Sequence, residues 1–294
     1  MEYLVIRSDE GRSLRDILRH RLFLSESAIR RAKWSGRLLV NGKPAPVRTV
    51  LHAGDRVSCL SAETVPAFTP KPYELALNIP WENDDLLIID KPAPLASQSG
   101  RGHPDDSLEN AVYAHLGRPE RFVYRPVNRL DKGTSGLMAV ARTPEEQARL
   151  QALLHTEAFQ RAYLAVTEGV PAENEGVIDL PIAKQDGATI RRVVSPSGKP
   201  SVTHYRVLRT AGDRALLSLW LETGRTHQIR VHLAHMGCPV AGDFLYGTEL
   251  SEIPGRFALH SCRIRFPLRS GETVELSSPL PPELEALLDG FPQP

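Results

Sequence analysis

Apolar positions along the chain keep two different periods, and the change from one to the other outlines its elements. Behind Ser13, the residues Leu14, Ile17 and Leu18 recur at helical spacing, which predicts a capped helix over Leu14–Arg21. A second helix is expected to begin at Ser25 or Ser27 and to run to about Lys33. It would turn Ala28, Ile29 and Ala32 inward and Arg30, Arg31 and Lys33 outward, with Arg37 following. Arg37–Lys43 reads as a strand ending in an Asn41-Gly42 turn, and Val47–Val57 as a return segment closing on Gly54-Asp55-Arg56-Val57. Ser61–Pro72 carries Pro66, Pro70 and Pro72 without periodicity and reads as a linker.

From about Tyr73 short strands dominate. Asp85–Asp90 is an apolar strand stopped by Lys91-Pro92, and 96–106 is a polar loop. Ser107 would cap a helix over Leu108–Leu116, and Thr143-Pro144 starts another that reaches about His155. Strands are expected at Leu137–Arg142 and Arg161–Val166, and a hairpin from Ser201–Arg209 and Arg214–Glu222. Thr223-Gly224 would open a further helix that carries His227, His232 and His235. Strands in succession with few helices between them predict an α+β fold with a mostly antiparallel, mixed sheet. The expected division is 1–60, a linker over 61–75, and a large domain over 76–294.

Composition adds little until it is split along the chain. Hydrophobic residues make up 41% and charged residues 24%, the balance of an ordinary soluble protein. No apolar run is long enough to span a bilayer, and the first residues carry no signal pattern, so no membrane is expected as partner. The three cysteines are isolated, which fits a reducing cytoplasm and suggests neither a disulfide framework nor a zinc ribbon. The net charge is only +1, yet residues 1–60 hold 12 Lys and Arg against 6 Asp and Glu. A basic head on a mildly acidic body is an electrostatic footprint for phosphate backbones, or else a solvated arginine-rich surface.

The chemistry concentrates in Arg125-Pro126-Val127-Asn128-Arg129-Leu130-Asp131-Lys132-Gly133-Thr134-Ser135-Gly136, followed by an apolar strand. Asp131 stands between Arg129 and Lys132, and opposite charges nearby favour an ionised carboxylate. On a rigid turn such a group can serve as a nucleophile. It can equally be a turn residue bonding local backbone. A phosphotransferase or hydrolase aspartate is a third reading, although the apolar strand here follows the Asp. No phosphate-binding Gly-rich loop and no Gly-x-Ser-x-Gly elbow is present. The three histidines lack the spacing and carboxylate partner of a zinc helix, so no metal is expected and capping or core hydrogen bonding is the plainer role.

Several of these segments together resemble the RluA-type pseudouridine synthases, a family of RNA-modifying enzymes. Arg129-Leu130-Asp131 with Thr134-Ser135-Gly136 is similar to the family's central motif. Lys91-Pro92, Arg161-Ala162-Tyr163-Leu164-Ala165, Gly224-Arg225-Thr226-His227-Gln228-Ile229-Arg230 and Leu259-His260 match its other motifs in order, from about Pro80 to Pro282. The family usually has His before Arg-Leu-Asp; this chain has Asn128. About 45 residues of the basic head resemble the S4 RNA-binding domain.

The resemblance implies catalysis by Asp131, with Tyr163 offering a stacking face and Arg230 pairing with the aspartate. Arg129 and Leu259 would bind the substrate, the first filling the space of a flipped base and the second lining the uridine site. Arg30, Arg31, Lys33 and Arg37 would face RNA, chiefly its phosphates. It further implies no cofactor, and as partner a structured RNA, ribosomal ahead of transfer RNA, handled by a monomer. A non-catalytic RNA-binding or ribosome-assembly protein on the same scaffold is the alternative.

Overall fold

A computed structural model of the chain describes residues 2–22, 24, 26–59, 69–188 and 190–289. The side chains of Ser27 and Arg31 also lie outside the description, as does the expected linker up to residue 68.

The first segment contains β1 (Glu2–Leu4), α1 (Leu14–His20), α2 (Glu26–Trp34), β2 (Leu38–Val40), β3 (Lys43–Pro44) and β4 (Arg56–Cys59). Ser13 caps α1 in a reciprocal box with Asp16, satisfying end N–H groups that the helix itself cannot pair. The expected cap at Ser25 lies outside the described residues, and Ser27 is inside α2. The strands form an antiparallel sheet in the order β1-β4-β2-β3. Leu14, Ile17 and Leu18 of α1 pack with Ile29 and Ala32 of α2 and with Leu38 and Val57 of the sheet, a core drawn only from this segment. Asp9 is buried beneath it and accepts hydrogen bonds from Tyr3 Oη at 2.5 Å and from Arg21.

The second sheet contains β5 (Asn78–Glu82), β6 (Leu86–Lys91), β7 (Ser135–Ala141), β8 (Gln160–Glu168), β9 (Glu175–Asp179), β12 (Val202–Ala211), β13 (Arg214–Leu221), β14 (Leu259–Pro267) and β15 (Thr273–Ser277). β10 (Ile182–Lys184) and β11 (Arg192–Val194) make a separate two-stranded ribbon between β9 and β12. The order is β5-β6-β7-β14-β8-β13-β12-β9, with β15 also on β14. Every pairing is antiparallel except β7 with β14. The helices α3 (Leu108–His115), α4 (Pro144–Leu153), α5 (Gln228–His235) and α6 (Pro282–Glu285) complete the unit. Among the described residues no helix is long and apolar enough to cross a membrane.

Burial follows the residue pattern. Leu86, Leu87, Ile88 and Ile89 of β6 are all buried, so both faces of that strand are covered. One face joins the core shared with α3 and α5, and the other packs with Leu150 of α4, Phe159 and Phe266. β13 alternates instead. Its Ala215, Leu217 and Leu219 are buried, while Ser218 and Trp220 lie on the more open face.

The parallel pair decides where the two loops ahead of β7 and β14 meet. His260 lies beside Ser135 and Ser261 beside Gly136, so both loops emerge at the same end of the sheet. Gly136 permits this contact. Its φ is +105°, and a Cβ there would stand 2.3 Å from the Ser261 carbonyl oxygen.

One element differs from expectation. The helix read from Thr223 begins at Gln228, because His227 sits at φ 60° in the left-handed region, which a right-handed helix cannot include. Residues 223–227 form a turn, held by the Gln228 side chain, whose Oε1 accepts from Thr223 Oγ1 and Arg225 N–H.

Candidate active site

Asp131 stands in the loop that enters β7, and the loop is tied down from several sides. Ser97 Oγ donates to the Leu130 carbonyl at 2.5 Å. Leu95 N–H donates to the Lys132 carbonyl at 2.9 Å, and Thr134 N–H closes a turn on the Asp131 carbonyl at 3.1 Å. Lys91, fully buried, donates from Nζ to the carbonyls of Leu95 at 2.8 Å and Pro92 at 3.0 Å and reaches Lys132 at 3.4 Å. Burial pushes its ammonium down to about 7, against the pull of the Asp131 charge. Asn128 braces the loop on β7, its Oδ1 accepting from Ala139 N–H at 2.9 Å. Its Nδ2 is buried with no partner among the described residues.

The Asp131 carboxylate meets α5. Arg230 Nη1 donates to Asp131 Oδ2 at 2.9 Å, while its Nε and Nη2 grip both oxygens of Asp243 at 2.6 and 2.8 Å. Arg230 is 3% exposed, Asp243 is fully buried, and Asp131 is 29% exposed. The guanidinium lies 4.0 Å from the centre of the Phe257 ring, a face that favours a cation. Among the described residues Asp131 Oδ1 makes no hydrogen bond, so one oxygen is clamped by Arg230 and the other has no partner within the protein. His227 Nε2 is 3.8 Å from Oδ2, and its Nδ1 is 2.8 Å from Tyr246 Oη. Burial holds this imidazole below its ordinary range despite the Asp131 charge.

Arg129, Asp131, Tyr163, Arg230 and Leu259 all line one small pocket of about 70 Å³. It opens beside a cleft of about 680 Å³ whose walls include Ser97, Asn128, Tyr163 and Arg225. Tyr163 and Leu259 are each 5% exposed. Arg129 is exposed, at the rim. The basic side chains of the head are elsewhere in the fold: Arg30 and Lys33 are exposed on α2, Arg37 is half-buried ahead of β2, and the side chain of Arg31 lies outside the described residues.

Sequence reasoning passed over Asp243, Tyr246 and Phe257. The run Gly242-Asp243-Phe244-Leu245-Tyr246-Gly247 held the first two, and a single Asp in an otherwise apolar stretch is the signal to seek a paired cation. His232, once weighed as a ligand, is a core residue, with Nδ1 2.9 Å from Thr203 Oγ1 and Nε2 2.9 Å from the Leu180 carbonyl. Among the described residues no three His, Cys, Asp or Glu side chains are grouped to hold a metal ion.

This geometry sits in a chain with recognisable relatives. A family model described as RNA pseudouridylate synthase matches residues 85–235. A Xanthomonas campestris pv. campestris protein named ribosomal large subunit pseudouridine synthase D is 37% identical over 294 residues, covering 92% of this chain and 86% of that one. The Escherichia coli protein of the same name is 37% identical over 284 residues, covering 90% and 86%. Among solved structures, human RNA pseudouridylate synthase domain containing 1 aligns with a TM-score of 0.59 and 26% identity, over 74% of this chain and 97% of its own. The match reaches from β6 through the aspartate loop to the end of α5, and the chain belongs to the RluA-type RNA pseudouridylate synthase family, whose members isomerise uridine in RNA.

Proposed function

We propose that the chain converts uridines of large-subunit ribosomal RNA to pseudouridine with Asp131 as nucleophile. The observation that carries this is the Asp131 carboxylate itself, clamped through Oδ2 by Arg230 and open at Oδ1, in a pocket walled by Tyr163 and Leu259. The target nucleotide must leave its stack, which costs a few kcal/mol. Tyr163 supplies a face for the extruded base, Leu259 an apolar wall, and Arg129 at the rim fills the gap left in the RNA. Asp131 adds to the nucleoside, and the C1′–N1 bond breaks with its electron pair on the uracil. The base turns, C5 bonds to C1′, and the C5 hydrogen leaves as a proton while N1 gains one. The carboxylate is released unchanged, so the isomerisation needs no other reactant.

The ribosomal assignment rests on the names of the two bacterial relatives, and such RNA is made in the reducing cytoplasm that the isolated cysteines suit. The basic head, S4-like by its sequence, is the docking module in this reading. One chain supplies every group named, in keeping with a monomer. The test is tritium release from large-subunit ribosomal RNA carrying ³H at uracil C5. Asp131→Asn is expected to lose at least about 10³-fold in turnover while binding RNA within about threefold of the parent. Turnover near the parent level in that variant removes the nucleophile assignment, and no tritium release by the parent removes the reading as a whole.

A further inference from the structure

A second groove, of about 1000 Å³, lies next to the catalytic cleft on the open face of the sheet. The two are continuous: Leu154, His155, Arg161 and Leu221 line both. A row of residues in register crosses four strands at this groove. His204 on β12 faces Trp220 on β13, Trp220 faces Ala162 on β8, and Ala162 faces Arg263 on β14. Partners directly opposite in antiparallel strands share a face, so the four form one surface.

The middle of that surface is an indole. Trp220 is 41% exposed. One neighbour, His204, is parallel to it, with ring centres 5.0 Å apart and planes 5° apart. His204 is itself held by Glu222, 2.7 Å from its Nε2. The other neighbour is Ala162, too small to cover the indole. With His204 stacked on one side, the indole still lines the groove. Lining residues Arg161 and Arg263 bring positive charge to the groove, Arg263 being partly neutralised by Glu275 and Glu157 and Glu222 adding negative charge at the rim. The mixed charge suits a base that stacks with its phosphate at the arginine side better than a tract of phosphates.

We infer that this groove takes an unpaired nucleobase flanking the target uridine, stacked on Trp220, with the backbone passing from the catalytic cleft over Arg161. This rests on the reading of the chain as an RNA isomerase and adds a contact outside the pocket that does the chemistry. A face–face contact of this type tolerates any base, because every base has a π-face. It therefore sets how far along the strand the RNA must be single-stranded, and leaves the choice of base to other contacts.

The experiment measures binding of the full chain to a single-stranded uridine decamer and to a uridine trimer too short to occupy both grooves. Trp220→Ala is expected to weaken the decamer roughly 10- to 100-fold and leave the trimer within about twofold. Trp220→Phe keeps most of the affinity. In decamers with one abasic site, a single position should erase the difference between the parent and Trp220→Ala. Equal decamer affinity for parent and Trp220→Ala overturns the inference. So does a loss shared by the trimer, or one that no abasic position erases. Thermal melting of each variant separates lost stacking from lost folding. Tritium release by the parent on ribosomal RNA is measured alongside: if it is present and Trp220→Ala still binds the decamer normally, only the second groove is disproved, and if it is absent the enzymatic reading fails first.

Discussion

Arg230 serves two carboxylates of opposite character, and that division sets what each substitution costs. Asp243 is fully buried and takes two of the guanidinium hydrogen bonds; Asp131 is partly exposed and takes one. A planar fork can do both at once, whereas a lysine ammonium cannot reproduce the bidentate grip. The sequence suggested only the Arg230–Asp131 pair. With Asp243 present, the arginine is held whether or not Asp131 is charged, so the clamp is ready before substrate arrives. Removing Arg230 strands a buried carboxylate, and breaking such a pair costs roughly 3–5 kcal/mol. Arg230→Met should therefore lower unfolding free energy in urea by that amount, while Asp131→Asn changes it by less than about 1 kcal/mol. Asp243→Asn added to Arg230→Met should recover part of the loss, because the unpaired charge is gone. Equal stability of Arg230→Met and Asp131→Asn would show that Asp243 does not depend on the arginine.

At the scale of elements, what was legible followed from local rules, and what was hidden depended on the sheet. The Ser13 and Ser107 boxes, the Thr143-Pro144 start and the β12–β13 hairpin all rest on neighbours in sequence, and the structure has them close to where they were read. The parallel β7–β14 contact joins residues more than a hundred positions apart, and with it comes the meeting of Asp131 with Leu259. Only the family resemblance pointed to that meeting. The start of α5 was misplaced because apolar spacing says nothing of a left-handed residue at His227. Histidines in these elements also give the fold a pH dependence. His227, His232 and His260 are all held below the ordinary imidazole range, with burial the main cause in each. Well above pH 6.5 they are neutral folded or unfolded and contribute no slope. As pH falls below 6.5 the unfolded chain takes up protons that the folded one refuses, so stability drops, by up to about 1.4 kcal/mol per pH unit for each histidine. His52, raised by Glu10, acts in the opposite direction from the surface. Carboxylates lowered by their partners, such as Glu26 with Arg15 and Asp16 with Ser13, lose their share only at lower pH, near the ordinary carboxylate range. Urea unfolding at pH 7.5, 6.5 and 5.5 should show a modest loss over the first step, as the buried Lys91 at about 7 takes up its proton, and a larger one over the second. A flat response to pH 5.5 would mean these imidazoles protonate without cost.

At the scale of the whole molecule, the division of charge explains how a nearly neutral chain can handle a polyanion. The excess of bases in residues 1–60 offsets the acidic remainder, and it includes the exposed Arg30 and Lys33 on one helix, with Arg37 just beyond. Trp34, at the end of the same helix, is 82% exposed. The pocket around Asp131, by contrast, is small and spends Arg230 on internal carboxylates, so it can contribute little net attraction to phosphate. If the head is where affinity comes from, salt dependence should belong to the head. Each phosphate neutralised contributes a slope of about −0.7 to −0.9 in the plot of log affinity against log salt. Replacing Arg30, Lys33 and Arg37 together by Gln in the full chain should make that slope shallower by about 2–3 for ribosomal RNA and weaken binding most at low salt. Turnover at saturating RNA should stay near the parent value, since none of the three touches the pocket. A slope that does not change would move the docking function off the head and onto the sheet.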